Sequence, residues 1–310
     1  MQSPHDCQPV TFHWRGVELA GGLRIPISDL PAPALVFTGP FTGVKEQVTG
    51  HYAERLARRG YVTLAFDHRN FGASGGEPRQ HEDSAAKLHD LLTATSFLAD
   101  HDAVDAGRIG CVGICLGASY PVRHTAFDPR IKVLALVAGG CNSPALMRSA
   151  LGNDAYRQVL GDLAERARHE LHTGEIEYIP AVDGSGGEAA MGGQEPFDYY
   201  GTMRSASPRW ANRVTRLSIR ELLTFDAISA GAFVAPRPTL MVHGRIDDYC
   251  TPANAKAMFE HLEEPKRLMW LDTTNHIDLY DNPRFVDPAV AAIDSWLAEH
   301  LTTAPHHHSR

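Results

Sequence analysis

The chain has 310 residues and a net charge of −8, and 43% of its residues are hydrophobic. A chain of this length can bury roughly three quarters of its unfolded surface, so we expect a self-sufficient core. The acidic balance, without any basic block, argues against nucleic acid or an anionic membrane as the main partner. The longest apolar run, Val133–Ala138, is far shorter than the roughly 20 residues of a transmembrane helix.

The N-terminus and the cysteines indicate a cytoplasmic protein. Residues 1–6 contain no basic region followed by an apolar stretch, so we expect no secretory signal. The chain has five cysteines, an odd number, and they are scattered along the sequence. This pattern does not predict a disulfide framework. In a reducing compartment each of them would be a free thiol.

The predicted strands indicate a parallel sheet. Val10–Pro26 predicts an antiparallel hairpin with turns at Gly16 and at Gly21-Gly22. After it, short apolar strands alternate with amphipathic helices, as in a parallel sheet covered on both faces. The strands predicted for that sheet are Ala34–Thr38, Tyr61–Phe66, Arg108–Ile114, Ile131–Ala138, Pro238–His243 and Arg267–Leu271.

The predicted helices carry apolar residues at helical spacing. The first has apolar residues from Val44 to Leu56 and ends at Gly60. A later helix has Thr251-Pro252 as its N-cap and first residue. The closing helix is predicted to begin at Asp287-Pro288.

Residues 142–228 interrupt this alternation. The segment contains a charged helix over Asp154–His169, a Gly/Ser stretch over Asp183–Gly193 and a further helix near Leu217–Ala227. Because its rhythm does not extend the sheet, we expect a cap over the sheet's C-terminal edge. The core would then consist of residues 10–141 and 229–301, followed by a disordered tail, 302–310.

The sharpest local signal is Gly113-Ile114-Cys115-Leu116-Gly117, at a predicted strand-to-helix junction. G-x-C-x-G is the cysteine form of the nucleophile elbow, a turn too tight for side chains two residues on either side of the nucleophile. Cys115 would lie at a helix N-terminus, where the helix dipole favours the thiolate. The alternative is a buried cysteine beside two packing glycines. We interpret the other cysteines as structural, namely Cys7, Cys111, Cys141 and Cys250.

A nucleophile of this kind needs a base, and the base needs an orienting carboxylate. Asp247 and His276 each follow one of the last two predicted strands. Since open α/β sheets place their sites at the C-terminal ends of strands, we expect both residues to meet Cys115 there. Asp248 is the main alternative for the acid, but the spacing after Gly244 favours Asp247.

The site also needs donors for an oxyanion. One should be the N–H of Leu116, directly after the nucleophile, and the other should follow the strand Ala34–Thr38. Pro40 has no N–H, so Phe41 is the predicted donor, with Thr42 as the alternative.

No metal or cofactor is expected. The histidines form neither an H-x-x-x-H nor an H-x-x-E-H pattern. His243 ends a predicted strand and is interpreted as packed.

With these residues the chain resembles the dienelactone-hydrolase-like and peptidase-S15-like α/β hydrolases of bacteria. Besides the cysteine elbow, the matching pieces are Gly43–Gln47, Asp67–Gly76, Asp198-Tyr199-Tyr200 with Arg204 following, and Asn275-His276-Ile277. The likeness covers roughly residues 10–301. It implies the α/β-hydrolase fold, with a mostly parallel eight-stranded sheet, helices on both faces and a helical cap. It also implies a triad of Cys115, Asp247 and His276, in the order of nucleophile, acid and histidine along the chain.

Two departures from the family pattern concern the loop Gly39–Thr42. Relatives often have a histidine where this chain has Gly39. Dienelactone hydrolases hold a glutamate in this loop, which contacts the resting cysteine, and this loop offers no carboxylate. The departure argues against a dienelactone substrate.

The sequence therefore predicts acyl transfer through a thioester on Cys115, with hydrolysis of a small-molecule ester, lactone or thioester as the first hypothesis. An acyltransferase or cyclase of natural-product biosynthesis is the second, and a non-catalytic binding protein is the third. Tyr199, Tyr200 and Arg204 are the candidate substrate contacts, although the tyrosines could instead pin the cap to the core. We expect a small-molecule acyl substrate, with neither nucleic acid nor membrane as partner, and leave a homodimer open.

Overall fold

A computed structural model describes residues 6–301, so the expectation for the tail 302–310 lies outside the described residues. Eight strands form one sheet in the order β1-β2-β4-β3-β5-β6-β9-β10, and β7 pairs with β8 separately. The strands are β1 (Gln8–Trp14), β2 (Val17–Arg24), β3 (Ala32–Thr38), β4 (Val62–Phe66), β5 (Val104–Ile114), β6 (Ile131–Val137), β7 (Tyr178–Ile179), β8 (Val214–Thr215), β9 (Thr239–Gly244) and β10 (Lys266–Leu271).

The α-helices are α1 (Val48–Ala57), α2 (Ser84–Ala99), α3 (Ser119–Phe127), α4 (Pro144–Leu151), α5 (Asn153–Thr173), α6 (Gln194–Tyr200), α7 (Ser218–Thr224), α8 (Pro252–His261), α9 (Asp278–Asp281) and α10 (Pro283–His300). Short 3₁₀ helices cover Cys115–Ala118, Met203–Ser205 and Ile228–Phe233. No helix within residues 6–301 combines the length and the apolar character needed to cross a membrane.

The sheet is mostly parallel, as predicted. β1 runs antiparallel to β2, and β2 runs antiparallel to β4, whereas the other neighbours are parallel. Successive residues of β3 enter opposite halves of the core: Leu35 packs on the side of α1 and α10, and Val36 on the side of α2 and α3. Both faces are therefore covered, which explains the near-continuous apolar strands.

Several predicted boundaries are wrong, and three of them have a local reason. Gly21 lies inside β2, where a Cβ would come 2.8 Å from Leu64 Cδ1, so it serves close packing between strands and not a turn. Helix α1 begins at Val48, because Val44 lies in a loop and donates its N–H to Gln47 Oε1.

The closing helix α10 begins at Pro283, four residues earlier than predicted. Asn282 caps it by accepting a hydrogen bond from the Arg284 N–H, so Pro288 lies inside the helix. The predicted start of α8 is confirmed, with Thr251 as N-cap and Pro252 at the first position.

The segment 142–228, called the insertion below, lies between β6 and β9 and contributes no strand to the eight-stranded sheet. It contains helices α4 to α7 and the β7–β8 pair. A small apolar cluster of its own consists of Tyr156, Leu163 and Leu223. Its division from the core as a separate cap domain stays a prediction.

Candidate active site

Cys115 stands at a sharp turn directly after β5. Its φ is +57°, a left-handed conformation that is costly for any residue with a side chain. A Cβ on Gly113 would come 2.6 Å from Pro121 Cγ, and a Cβ on Gly117 would come 2.4 Å from the carbonyl oxygen of Gly39. Both glycines are therefore required by space, as the elbow pattern predicts.

Hydrogen bonds to neighbouring strands fix this turn. Thr38 at the end of β3 donates its hydroxyl to the Gly117 carbonyl oxygen at 2.6 Å. The Gly140 N–H donates to the Cys115 carbonyl oxygen at 2.9 Å. The strained backbone at Cys115 is thus held from β3 and from the loop after β6.

His276 and Asp247 meet at the same edge of the sheet. His276 Nδ1 donates to Asp247 Oδ2 at 2.6 Å. The second oxygen of Asp247, Oδ1, accepts the N–H groups of Tyr249 and Cys250 at 3.0 and 2.7 Å. Asp247 is buried, whereas Asp248 is exposed. The structure thus gives the histidine Asp247 as its carboxylate partner.

Two side chains that the sequence analysis did not assign complete the surroundings of the sulfur. Cys250 Sγ lies 3.7 Å from Cys115 Sγ, so the interpretation of Cys250 as merely structural is not supported. Tyr280 places its hydroxyl 2.9 Å from His276 Nε2. A signal existed for each, because Cys250 follows Asp247 by three residues and Tyr280 follows His276 by four.

These contacts favour an ionised thiol. The hydrogen bond from Cys250 lowers the pKa of Cys115 most. Burial raises this pKa, whereas the charge of His276 and the hydrogen bonds from His276 and Tyr280 lower it further. The net effect holds the pKa of Cys115 well below its usual range. The hydrogen bond to Cys115, followed by burial, raises the pKa of Cys250 well above its usual range. Cys250 therefore stays protonated and donates to the thiolate.

His276 carries the matching positive charge. Burial lowers its pKa, but the Cys115 thiolate and Asp247 more than offset this and raise the pKa to about 10. The directions of both pKa shifts favour a thiolate–imidazolium pair. Such a pair combines a ready nucleophile with a ready proton donor.

The two predicted oxyanion donors belong to Phe41 and Leu116, which both line the cavity that contains Cys115. Among the hydrogen bonds of residues 6–301, neither backbone N–H has an acceptor. Two unpaired amides next to a nucleophile are what a developing oxyanion requires.

The cavity above Cys115 has a volume of about 340 Å³. Its walls come from the core and from the insertion. The insertion residues that line it are Asn142, Met147, Ala150, Leu151, Ala190, Met191, Pro196, Tyr200, Ile219, Leu222 and Leu223. Its lining contains no Asp, Glu, Lys or Arg, so the space is apolar and uncharged apart from the reactive edge.

Of the three candidate substrate contacts, the structure brings one to the cavity. Tyr200 lines it, and its buried hydroxyl has no hydrogen-bond partner among the described residues. Tyr199 is fully buried and packs edge-on against Tyr280. Arg204 lies outside and forms a two-pronged ion pair with Asp281. Tyr199 and Arg204 thus hold the insertion against the core.

His243 is buried behind the acid, 3.9 Å from Asp247 Oδ2. Its Nδ1 donates to the carbonyl oxygen of Gly244 at 3.0 Å. Burial, the largest influence, lowers its pKa. It is therefore a neutral packing residue.

Cys115, Cys250 and His276 place their sulfur and ring-nitrogen atoms within 4.8 Å of one another. Among residues 6–301 no other three His, Cys, Asp or Glu side chains come as close. The elbow backbone and the bound aspartate favour nucleophilic and acid–base chemistry for these atoms, which stays a prediction.

The fold agrees with comparisons to known proteins. The sequence profile of the X-Pro dipeptidyl-peptidases (S15 family) matches residues 15–278. The chain belongs to the S15 peptidase family. It is 31% identical over 283 residues to the uncharacterized protein PA2218 of Pseudomonas aeruginosa, covering 88% of this chain and 75% of that protein. The crystal structure of PA2218 superposes with a TM-score of 0.85 and 28% identity, over 96% and 95% of the two chains.

Two fungal relatives have names that state a reaction. Polyketide transferase grgF of a Penicillium species is 27% identical over 264 residues, 85% of this chain and 86% of that protein. Its structure superposes with a TM-score of 0.80 and 25% identity, over 95% and 98% of the chains. Thiohydrolase aneE of Aspergillus aculeatus is 26% identical over 269 residues, 84% and 83% of the two proteins.

These comparisons confirm the predicted α/β-hydrolase fold and the S15-like part of the resemblance. The chain is an enzyme of that fold, of the class that hydrolyses or transfers acyl groups. The dienelactone-hydrolase-like branch and the cysteine nucleophile stay predictions.

Proposed function

We propose that the protein accepts an acyl group from a small-molecule thioester onto Cys115 and passes it to water. The observation that carries the proposal is that the loops after β5, β9 and β10 meet at one edge of the sheet. There the strained Cys115, the His276–Asp247 pair and two free amides open on one apolar cavity.

In the first half-reaction the Cys115 thiolate attacks the thioester carbonyl. The Phe41 and Leu116 amides donate to the oxyanion that forms. The intermediate collapses, and the imidazolium of His276 gives its proton to the departing thiolate, which leaves as a thiol. The acyl group is then bonded to Cys115, and His276 is neutral.

In the second half-reaction neutral His276 takes a proton from water, and the hydroxide adds to the acyl-enzyme carbonyl. Collapse of this intermediate releases the carboxylic acid and regenerates the thiolate beside the imidazolium. Asp247 keeps Nδ1 bonded throughout, so Nε2 is the nitrogen that exchanges the proton.

The thioester is favoured over an oxygen ester by the nucleophile itself. Exchange of one thioester for another changes the free energy little, whereas formation of a thioester from an oxygen ester is uphill. Relatives named thiohydrolase and polyketide transferase support the same class.

The cavity favours a neutral, apolar acyl group. Its lining is almost entirely aliphatic and aromatic, and its volume of about 340 Å³ is at the small end for ligand sites. The Tyr200 hydroxyl, buried without a hydrogen-bond partner among the described residues, is our candidate to bond one oxygen along the acyl chain. The free α-ammonium group of an X-Pro peptide would be buried without a carboxylate partner, which is costly. We therefore do not propose that the protein cleaves X-Pro dipeptides.

Transfer to an acceptor other than water is the second candidate. The specific observation in its favour is the insertion, which walls the cavity over the partly exposed Cys115. Tyr249 donates its hydroxyl to the Gly192 carbonyl oxygen across the rim. An acyl group that fills this cavity would keep water from the thioester until an amine, alcohol or carbanion arrives.

The test uses the octanoyl thioester of N-acetylcysteamine and follows thiol release and octanoic acid together. We expect equal amounts of both, no turnover by Cys115→Ala and normal turnover by Cys141→Ala, which removes another buried thiol. Thiol release without acid, until an amine or alcohol is added, would instead establish transfer. Faster turnover of Ala-Pro-p-nitroanilide than of the thioester would contradict the proposed substrate class.

A further inference from the structure

We propose that the cavity is also a site of reversible thiol oxidation, in which a hydroperoxide links Cys115 to Cys250 as a disulfide. The two sulfurs lie 3.7 Å apart and face the same cavity. The inference rests on these two atoms and holds whether or not the acyl chemistry proposed above takes place.

Cys250 is positioned as a resolving thiol by the same bonds that position the acid. Its N–H donates to Asp247 Oδ1 at 2.7 Å, which fixes the start of the loop before α8. On its other side, Gly140 leaves room, because a Cβ there would come 2.8 Å from Cys250 Sγ. Closure to a bond of about 2.05 Å needs the sulfurs to approach from contact distance only.

Three other cysteines lack this arrangement. Cys7 is exposed just before β1, and Cys111 is buried within β5. Cys141 is buried after β6 and does not line the cavity. Among the described residues, only Cys250 has its sulfur within hydrogen-bonding distance of Cys115 Sγ. It is therefore the expected partner.

The chemistry has two balanced steps. The Cys115 thiolate attacks one oxygen of the hydroperoxide, an S–O bond forms and the O–O bond breaks. The sulfur loses two electrons, and the departing alkoxide or hydroxide takes a proton from His276. The Cys250 thiol then gives its proton to the now neutral His276 and attacks the sulfenic sulfur. The S–S bond forms, the S–O bond breaks, and the departing hydroxide takes that proton from His276 and leaves as water. Two thiols and one hydroperoxide thus give a disulfide, an alcohol or water, and a further water.

The disulfide would protect the Cys115 sulfur from further oxidation, and the enzyme would be inactive until the disulfide is reduced. A sulfenic acid that meets more peroxide is oxidised to sulfinic acid, which ordinary thiols do not reduce. Capture by Cys250 stops the oxidation at a stage that dithiothreitol reverses.

The experiment treats the full chain with hydrogen peroxide and compares it with Cys250→Ala, Cys250→Ser and Cys141→Ala. Intact mass and peptide mapping are recorded after denaturation and alkylation of free thiols. In the parent and in Cys141→Ala we expect a loss of two hydrogens, a peptide pair joining Cys115 to Cys250, and restoration by dithiothreitol. In both Cys250 variants we expect Cys115 to gain two oxygens. We also expect dithiothreitol to return at least tenfold less protein to the reduced mass than it does for the parent.

Equal sulfinic acid formation in the parent and the Cys250 variants would overturn the inference, as would a disulfide to Cys141. Near-UV circular dichroism checks that each variant is folded, and two different substitutions guard against one that is not. Because the readout is mass, an inactive protein that forms the disulfide would refute the proposed function alone. An active protein that does not form it would refute this inference alone.

Discussion

Strands β4 and β9 bury every residue, whereas helix α4 of the insertion buries none and α5 buries only Tyr156 and Leu163. Cys115 and Asp247 follow the buried ends of β5 and β9, His276 follows the partly buried edge strand β10, and more than half of the residues that line the cavity come from the insertion. The contrast separates two tasks. Groups that must be placed to within a fraction of an ångström are held by a close-packed sheet, and groups that only shape a pocket are held by fewer contacts.

The insertion is nevertheless tied to the core at several points. Gln47 Nε2 donates to the Ser205 carbonyl oxygen at 3.0 Å, and Glu195 accepts the Ile277 N–H at 2.9 Å. These bonds hold α6 and the following loop, whereas α4 lacks buried residues. If the cavity opens to admit substrate, α4 is where we expect the movement.

The largest effect in this comparison should come from the acid at the sheet edge. We expect Asp247→Asn to lower kcat/KM about 10³- to 10⁴-fold, because the amide no longer holds the proper tautomer or supports the imidazolium. Its matched control is Asp248→Asn, one residue further and exposed, which should stay within about twofold of the parent. Steady-state kinetics on the octanoyl thioester decides; similar losses in both variants would refute the assignment of Asp247.

Replacing glycine by alanine should have opposite effects on the free energy of unfolding in the sheet core and in the insertion. Gly117→Ala places a Cβ 2.4 Å from a backbone oxygen, and we expect the free energy of unfolding to fall by about 3 kcal/mol. Gly161→Ala, in the middle of α5 with nothing within 4 Å, should raise it by about 1 kcal/mol through helix propensity. Urea unfolding measures both, and a tolerated Gly117→Ala would contradict the close-packed elbow.

The charge state of the sulfur should appear in the pH dependence of alkylation by iodoacetamide. The titratable groups around it are Cys250, His276, Tyr280 and Tyr200. Because the pKa of Cys115 is lowered, the rate should reach its plateau below the usual thiol pKa of about 8.5 and fall only in more acidic solution. Above about pH 10 His276 loses its proton, so kcat/KM should decline there although the thiolate persists.

Removal of the Cys250 thiol should raise the pKa of Cys115, since its hydrogen bond lowers that pKa most. We expect the alkylation profile of Cys250→Ala to move to higher pH, with the rate on the acidic limb about tenfold below that of the parent because less thiolate is present. An unchanged profile would show that the thiol pair does not set the charge of Cys115. Cys141→Ala serves as the control and should overlay the parent.

An effect that depends on the substrate should come from the insertion. Tyr200→Phe keeps the ring, which stacks on Trp210 at a centroid distance of 5.6 Å, and removes the hydroxyl that lacks a partner. We expect about a tenfold loss of kcat/KM for acyl chains with an oxygen substituent and little change for octanoyl. Equal losses for both would assign the hydroxyl to structure and not to recognition.

The sequence predicts the residues of the sheet edge better than those of the insertion and of the folded loops. Cys115, Asp247 and His276 were accessible because each stands just after a strand whose apolar run is visible in the sequence. Cys250 and Tyr280 stand three and four residues after Asp247 and His276, but this spacing does not say that either side chain turns towards the sulfur, which depends on how the loops fold back. Tyr199 and Arg204 share a motif with Tyr200, but the direction of each side chain is set by packing against α9. The start of α10 was misplaced because both Asn282-Pro283 and Asp287-Pro288 resemble a helix start.

A rapidly quenched reaction with the octanoyl thioester offers the most direct look at the sulfur itself. Intact mass should show one octanoyl group per chain, peptide mapping should place it on Cys115, and neutral hydroxylamine should remove it as expected for a thioester. The adduct should accumulate in His276→Ala if that variant acylates, and should be absent from Cys115→Ala. Turnover by Cys115→Ala at the parent rate, or an acyl group found only on another residue, would contradict the role given to Cys115.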